Sequence, residues 1–588
     1  MIQYTLRLDQ PQHHYFDVTM QIPSPAKDGQ ILYLPAWIPG SYMIRDFAKH
    51  IVEFEARCEG KTLTYERLDK STWKIEPATG PLVIQYRVYA FDASIRAAYL
   101  DFNYGFANGT SVFLAAKGFE QVPQQVSIES SSHPSLAGWQ VATTLQGHTT
   151  KDTGFGSYIA ANYDELIDHP ILFGELTSIH FIASNRPHRL VLVGKHYASK
   201  EHLASDLARI CEEQHQLWGE VPDFKRYDFL TIVTQNGFGG LEHRSSTALM
   251  CPRGSLEFGS GDLPRPEYVE FLSLCSHEYF HNWNIKRLKP QAFIPYQLGS
   301  ESYTPELWWY EGVTSYYDVL MLYRAGVVNL EAFLSRLNQT LTRGLREPGS
   351  TRQALSESSF LAWTTFYQQN ENAVNAISNY YAKGAVLAFY LDLKLHLQHS
   401  SLDDLLRLLW EKYGKNSKGT TMNIIFNEIE KLAGKSVFQD IEALVTQPTQ
   451  IKVDELVEHF GLKLQRSATH PITLQPTSEP RFEKVELGAA LKEAHIGMEV
   501  QRVIEGSAAA FAGLSAKDTL IAIDGLQANA SQILRVLMNF TPGETCTVHF
   551  MRDQRLLERE LTWQAPRMDN LRLEVTNASH LPWHTPQV

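Results

Sequence analysis

Over roughly the first 170 residues, apolar and polar positions trade places with a period of two. Phe16, Val18, Met20 and Ile22 alternate with polar neighbours, as the two faces of a half-buried strand do. Short apolar runs follow at Leu82-Val83-Ile84 and Arg189-Leu190-Val191-Leu192-Val193, and turn signals at Pro39-Gly40 and Asn108-Gly109 punctuate the region. The pattern predicts a sandwich-like β domain. From about 200 to 470 the period lengthens to that of a helix, over 201–218, 266–286, 305–324, 330–345, 380–398 and 420–433. One strong strand, 229–233, sits among them and leads into Gly237-Phe238-Gly239-Gly240. Residues 466–480 are polar and proline-rich and read as a linker. Strand-like runs return beyond it, and the final 20 or so residues are weakly patterned.

Composition narrows the class. The chain has 588 residues, 44% hydrophobic and 20% charged, which excludes wholesale disorder, collagen-like repeats and coiled-coil rods. A net charge of -12 argues against nucleic acid as a partner. The most apolar helical run, Ala385 to Leu391, is far short of the roughly 18 residues that span a bilayer, so no membrane partner is expected. No basic stretch followed by an apolar core opens the sequence. Cys58, Cys211, Cys251, Cys275 and Cys546 are odd in number, widely scattered and form no C-x-x-C pair, which points to a reducing compartment. A cytoplasmic location is the expectation.

The chemistry is concentrated in His277-Glu278-Tyr279-Phe280-His281, an H-E-x-x-H string. Its helix is legible independently. Pro264 and Pro266 open it, and Glu267 and Glu270 suit the positive end of the helix dipole. Tyr268, Phe271, Leu272, Cys275 and Tyr279 form an apolar stripe. On a neighbouring face His277 and His281 lie one turn apart, so both imidazoles reach one metal ion at about 2.0–2.1 Å. Glu278 then projects beside the metal, where it takes a proton from water. In a chain with this many His and Glu residues, a chance match is expected about 0.05 times.

A catalytic zinc takes a third protein ligand and leaves one position open. Glu301, Glu306 and Glu311 compete. Likeness to the spacing common in glutamate-type zinc peptidases mildly favours Glu301. Local context favours Glu311, because Thr304 can cap a helix with Pro305 in its first position, which puts Glu311 in the second turn. Asp318 lies further along the same face and can hydrogen-bond the far nitrogen of a metal-bound His. A solvated helix charge is the other reading of Asp318.

Several strings carry a resemblance. Trp-x-x-Glu-Gly after H-E-x-x-H resembles the gluzincin aminopeptidases. The longer strings His277 to Asn284 and Leu307 to Tyr317 resemble the glycyl aminopeptidase family, which carries a C-terminal PDZ domain. So do Ala36 to Phe47, and Ala98-Tyr99-Leu100-Asp101 followed by Asn108-Gly109-Thr110. The resemblance implies Glu311 as the third ligand. Gly239-Gly240-Leu241-Glu242-His243 matches the Gly-Ala-Met-Glu-Asn motif of larger relatives, departing at Leu241 and His243. There the glutamate binds the substrate's α-amine, which implies that role for Glu242, with Gly239 and Gly240 beside it. Glu242 lies just after the 229–233 strand, whose edge is expected to pair with an extended peptide. Tyr381-Ala382-Lys383-Gly384 resembles the Tyr-x-Lys-Gly motif, whose tyrosine donates to the oxyanion. A phenol stays protonated at neutral pH and so can do this. Tyr380 is the adjacent alternative, read as core. Gly506 to Leu514 and Asp518 to Gly525 resemble a bacterial PDZ domain, with Leu487-Gly488-Ala489-Ala490 as the loop that can receive a peptide C-terminus.

The expectation is therefore a multidomain α+β chain. An N-terminal β-sandwich-like domain spans 1–170, a thermolysin-like, mostly helical catalytic domain 171–470, a PDZ domain 471–566 and a tail 567–588. The expected function is that of an aminopeptidase using one zinc ion, held by His277, His281 and Glu311. Glu278 and Tyr381 are the catalytic residues, acting on peptides with a free N-terminus. The resemblance implies a preference for N-terminal glycine or alanine. A zinc endopeptidase and an inactive, PDZ-bearing peptide-binding scaffold are the rival readings.

Overall fold

The period-two stretches of the N-terminal region become strands of a computed structural model that describes residues 1–148, 154–261, 263–478 and 483–583. The chain divides into two compact units. One comprises Met1–Ser302, Ala325–Val328 and Trp410–Gly419; the other comprises Tyr303–Arg324, Asn329–Leu409 and Thr420–Val588.

The first unit is built on an eight-stranded sheet. Its order is Gln146–Gly147, Gly156–Ala160, Gln124–Ile128, Ile2–Gln10, Tyr15–Ile22, Leu82–Tyr89, Ile51–Cys58 and Lys61–Leu63. Tyr4, Leu6, Phe16, Val18, Met20, Leu82, Ile84 and Tyr86 project from it into one core. Alternation does this directly, since successive side chains leave a strand on opposite faces. Two four-stranded sheets cover that core. One of them contains Ile171–Gly174, so the β region runs past residue 170; all four residues there are buried, leaving no alternation to mark them.

A five-stranded sheet follows in the same unit, in the order Thr177–Ala183, Arg186–Val193, Tyr227–Thr234, Ser246–Pro252, Gly239–Glu242. Its Val191, Val193, Leu230, Ile232 and Leu241 join the N-terminal core, which makes the two β regions one hydrophobic body. The helices Lys200–Trp218 and Pro266–Phe280 pack against this sheet and each other. Tyr227–Thr234 is central, paired in parallel on both sides. The edge is Gly239–Glu242, antiparallel to Ser246–Pro252. This corrects the expectation that 229–233 offers the free edge: Ser246–Pro252 inserts between the two, a long-range pairing with no signal in local periodicity.

In the second unit Leu307–Arg324 and Ala382–His396 pack closely. A Cβ added to Gly312 would lie 2.5 Å from the Cα of Gly384, so the helices cross where both lack side chains. The glycines of Glu311-Gly312 and Lys383-Gly384 thus meet each other. Leu330–Leu345 and Met422–Thr446 flank this pair. The latter runs well beyond the expected 420–433, across a non-helical Gly434 at φ 82°. A C-terminal sheet in the order Ala489–Glu493, Met498–Val503, Thr519–Ile523, Thr545–Arg552, Arg555–Thr562, with the helix Ala530–Asn539, encloses its own apolar core.

Two further expectations are corrected. Leu462–Ser467 is a strand, so the linker cannot begin at 466, and Asn570–Val575 pairs with it from within the expected tail. Leu571 and Leu573 point inward from that strand, too short an alternation to read without its distant partner. Residues 479–480 of the expected linker and 584–588 of the tail lie outside the described residues. Among the described residues no helix is long and apolar enough to cross a membrane.

Candidate active site

Pro266 occupies the first position of the helix Pro266–Phe280, where its missing N–H costs nothing. Tyr268, Phe271, Leu272, Cys275 and Tyr279 are buried, as the stripe requires. The helix ends at Phe280, short of the expected 286, and His281 follows at φ -62°, ψ -13°. The chain turns there because Ile285 adopts φ 116°, a region that β-branched residues avoid at a cost on the order of 1–3 kcal/mol. Ile285 N–H donates to Leu288 C=O at 2.8 Å and Leu288 N–H to Trp283 C=O at 2.8 Å, which holds the turn.

The strained turn has a chemical consequence. It aims the carbonyl of Asn284 at Nδ1 of His281, at 2.8 Å. A carbonyl accepts only, so Nδ1 carries the proton and Nε2 presents a lone pair. The rings of His277 and His281 stand 4.6 Å apart at 89°, and ligating nitrogens on the two lie within 4.8 Å of each other. Two imidazoles so close, one with its tautomer fixed by an outer partner, fit a divalent metal. The outer role that the sequence suggested for Asp318 is filled, for His281, by Asn284. Asp318 itself is half-buried on Leu307–Arg324.

Glu242, Glu278 and His281 come together: one ligand atom of each lies within 4.8 Å of the others. Glu242 sits at the end of the edge strand and is 4% exposed, yet its Oε1 has no hydrogen-bond partner among the described residues. A buried carboxylate oxygen without a donor costs on the order of 1–3 kcal/mol or more. Two glycines make room for the two acids. A Cβ at Gly240 would lie 2.1 Å from Oε1 of Glu278, and a Cβ at Gly40 would meet both carboxylate oxygens of Glu242, at 2.4 and 2.5 Å. Gly240, read from sequence as part of the amine pocket, thus lies against Glu278. Arg96 donates to the Gly240 carbonyl at 3.3 Å and lies 3.9 Å from a Cβ built on Gly239. Sequence reasoning missed Gly40, Arg96 and Asn284. Gly40 and Asn284 lie inside the strings Ala36 to Phe47 and His277 to Asn284 that carried the family resemblance, but nothing in their spacing assigned them a role.

In the second unit Glu311 is buried in the helix Leu307–Arg324. Its competitor Glu306 is spoken for. Thr420 donates to one of its oxygens and Thr304 to the other, each at 3.0 Å, and burial pushes its carboxyl up to about 7. Tyr381 precedes Ala382–His396, and Asn379 Oδ1 accepts from the N–H groups of Tyr381 and Ala382, both at 3.0 Å. Burial, then the negative charge of Glu311, hold the Tyr381 phenol well above its ordinary value. It therefore stays a donor throughout the neutral range. Tyr380 is fully buried, as a core residue should be.

The Peptidase M61 N-terminal domain matches residues 3–175, M61 glycyl aminopeptidase matches 270–387 and a PDZ domain matches 485–562. The solved structure of an aminopeptidase N family protein from Idiomarina loihiensis is 42% identical with a TM-score of 0.96, and the match covers 100% of both chains. An M1 zinc metallopeptidase from Deinococcus radiodurans is 11% identical with a TM-score of 0.49, over 77% of this chain and 94% of that one. No curated protein matches. The protein is a metallo-aminopeptidase, a hydrolase with a PDZ domain at its C-terminal side. It belongs to the M61 glycyl aminopeptidase family.

Proposed function

We propose that the protein removes single N-terminal residues, glycine and alanine foremost, from peptides, using one zinc ion held by His277, His281 and Glu311. Two neutral imidazoles and a carboxylate are the donor set that suits zinc with one position left open. When bound, zinc would acidify water and polarise the scissile carbonyl. Glu278 accepts the water's proton and later delivers it to the departing amine. Tyr381 donates a hydrogen bond to the developing oxyanion, and Glu242 binds the substrate ammonium. Asp318 is left the task of orienting His277.

The observation that carries this reading is buried Glu242, whose Oε1 has no partner among the described residues and one of whose carboxylate oxygens lies within 4.8 Å of one on Glu278. An amine nitrogen and its own residue's carbonyl carbon are about 2.5 Å apart, because two bonds of about 1.5 Å separate them. An ammonium seated on Glu242 thus brings the first carbonyl within reach of Glu278. The next carbonyl lies about 3.8 Å further along the chain, and an endopeptidase would need open space where Glu242 stands.

Glycine, alanine and leucine p-nitroanilides, with and without chelator, test the proposal. Chelator-sensitive release, fastest for glycine or alanine and absent for the N-acetylated forms, is expected. Cleavage of acetylated substrates as fast as free ones would overturn the assignment of Glu242.

A further inference from the structure

The strand Ala489–Glu493 is an edge of the C-terminal sheet and lies in the core shared with the helix Ala530–Asn539. PDZ domains take a peptide by adding a strand to such an edge. Here Leu491, in the middle of that strand, already donates its N–H to the carbonyl of Ile472 at 2.7 Å. The Ile472 side chain is 5% exposed and belongs to the cluster containing Leu491, Ile533 and Leu537. Its segment is a closed turn. Leu474 N–H donates to His470 C=O at 2.7 Å, and Nδ1 of His470 accepts from the N–H groups of Ile472 and Thr473, both at 3.3 Å. Leu474 packs with Ala490, Ile504 and Val374, so the same turn touches both the PDZ sheet and the helical region.

A second contact joins the PDZ domain to that region. Asn375 is 5% exposed; its Nδ2 donates to the Val503 carbonyl at 2.9 Å and its Oδ1 accepts from the Glu505 N–H at 2.9 Å. Both groups lie at the end of the strand Met498–Val503. Arg352 also pairs with Glu505, but both are exposed and that pair is worth little. Asn375 precedes Tyr381 in one short segment. Gly349 leaves no room for a Cβ against the carbonyls of Val374 and Ile377, at 2.7 and 2.5 Å, and Gln353 Oε1 accepts from Ser378 N–H at 3.1 Å. The PDZ domain therefore holds one side of the segment at Val374 and Asn375, and Gly349 and Gln353 hold the other at 374–378, a few residues before Tyr381.

We infer that the PDZ domain works in cis, as a brace that positions Tyr381, with its peptide edge filled by the chain's own Ile472. A tethered occupant competes at an effective concentration of order millimolar, which a free peptide must overcome to enter the groove. Asn375 is a positioning residue, acting through the segment that carries Tyr381. This rests on the oxyanion role proposed above for Tyr381, and the experiment separates the two.

In the full chain, with zinc content measured, Asn375→Ala is expected to lower kcat at least tenfold with KM within twofold. It should also speed amide exchange across 374–381. Asn375→Asp, which keeps the acceptor and loses the donor, should fall between. In a Tyr381→Phe background, Asn375→Ala should cost no further kcat. Unchanged kcat and unchanged exchange in Asn375→Ala would overturn the brace. An unchanged kcat in Tyr381→Phe alone would instead sink the oxyanion role, while exchange still reports on the brace. For the groove, the probe is a labelled hexapeptide ending in a free-carboxylate valine, followed by anisotropy up to 100 µM. No binding to the native chain is expected, and the Leu491 amide should be protected there and exposed in Ile472→Ser. Saturable binding to the native chain as tight as to Ile472→Ser would overturn the occupied edge.

Discussion

Replacing Gly40 with alanine tests how the substrate's amine is held. Gly40 sits at φ 91°, in a turn where Ser41 N–H donates to Ile38 C=O at 3.1 Å. An L side chain at that φ costs about 1–2 kcal/mol of stability. The larger effect is local. The new Cβ would lie 2.4 to 2.7 Å from three atoms of the Glu242 carboxyl group. Ordinary contact begins near 3.4 Å, so the carboxylate must retreat by about 1 Å, and a charged hydrogen bond stretched that far is largely lost. Hydrogen bonds to charged groups are worth about 1.5–3 kcal/mol, and 1.4 kcal/mol is tenfold, so kcat/KM should fall about 10- to 100-fold. Most of the loss should appear in KM, because the ammonium is bound in ground and transition states alike. The assay is initial-rate kinetics on alanine p-nitroanilide for Gly40→Ala, Glu242→Gln and the double variant, with zinc content and melting temperature recorded. The two changes act on one interaction, so the double variant should lose little more than the worse single one. Full additivity, or a Gly40→Ala enzyme with native KM, would refute the reasoning.

Two other outcomes follow from the same geometry. Gly240→Ala places its Cβ 2.1 to 2.5 Å from three atoms of Glu278; it should lower kcat about 100-fold or more with KM little changed, the reverse of Gly40→Ala, as loss of a general base does. Equal effects on KM in both variants would contradict the separate roles of the two acids. Behind the metal-site helix, Tyr279 Oη lies 2.8 Å from Nε2 of both His188 and His215. Burial lowers these rings to about 4 and about 3. The unfolded chain, at about 6.5, binds protons that the folded chain refuses, so stability is present above pH 6.5 and is lost as pH falls, by about 3 kcal/mol per ring at pH 4. Denaturant titrations between pH 7 and 4, read by fluorescence of the nearby Trp218–Trp283 stack, should show this slope, and His188→Gln should flatten it. A flat native profile would rule it out.

Much of this was legible before any fold. The H-E-x-x-H helix, its stripe and its opening prolines could be read because helix periodicity, caps and metal-ligand spacing are local properties. Helices such as 330–345 were likewise written in their periodicity. What escaped were facts set by distant chain. The free edge fell on Gly239–Glu242 because Ser246–Pro252 inserts beside 227–234, and no pattern in 229–233 announces that neighbour. The helix 266–280 stopped early because the chain turns at Ile285 and aims the Asn284 carbonyl back at His281, a backbone event that leaves no mark in hydropathy. Gly40 lies some 200 residues from the carboxylate it accommodates. Glycines in turns are common, and only the approach of a side chain from elsewhere shows that this one is needed.

The pairing of glycines with acids has a thermodynamic consequence. Glu242 and Glu278 are 4% and 5% exposed, with carboxylate oxygens within 4.8 Å of each other. At an effective dielectric of about 20, two full negative charges at that distance repel by about 3 kcal/mol. On the roles proposed above, each acid would meet a cation: the substrate's ammonium at Glu242, and the bound metal beside Glu278. A neutral, acetylated N-terminus would relieve nothing, so on that proposal charge and geometry should reject it together. Stability and activity are therefore opposed at one residue. Glu242→Gln removes one of the repelling charges, so in chelator it should raise the melting temperature by a few degrees while lowering kcat/KM for free-amine substrates. A variant that melts no higher than the native chain under those conditions would mean that a cation within the protein already balances Glu242, and that its unpaired oxygen is not held in reserve for substrate.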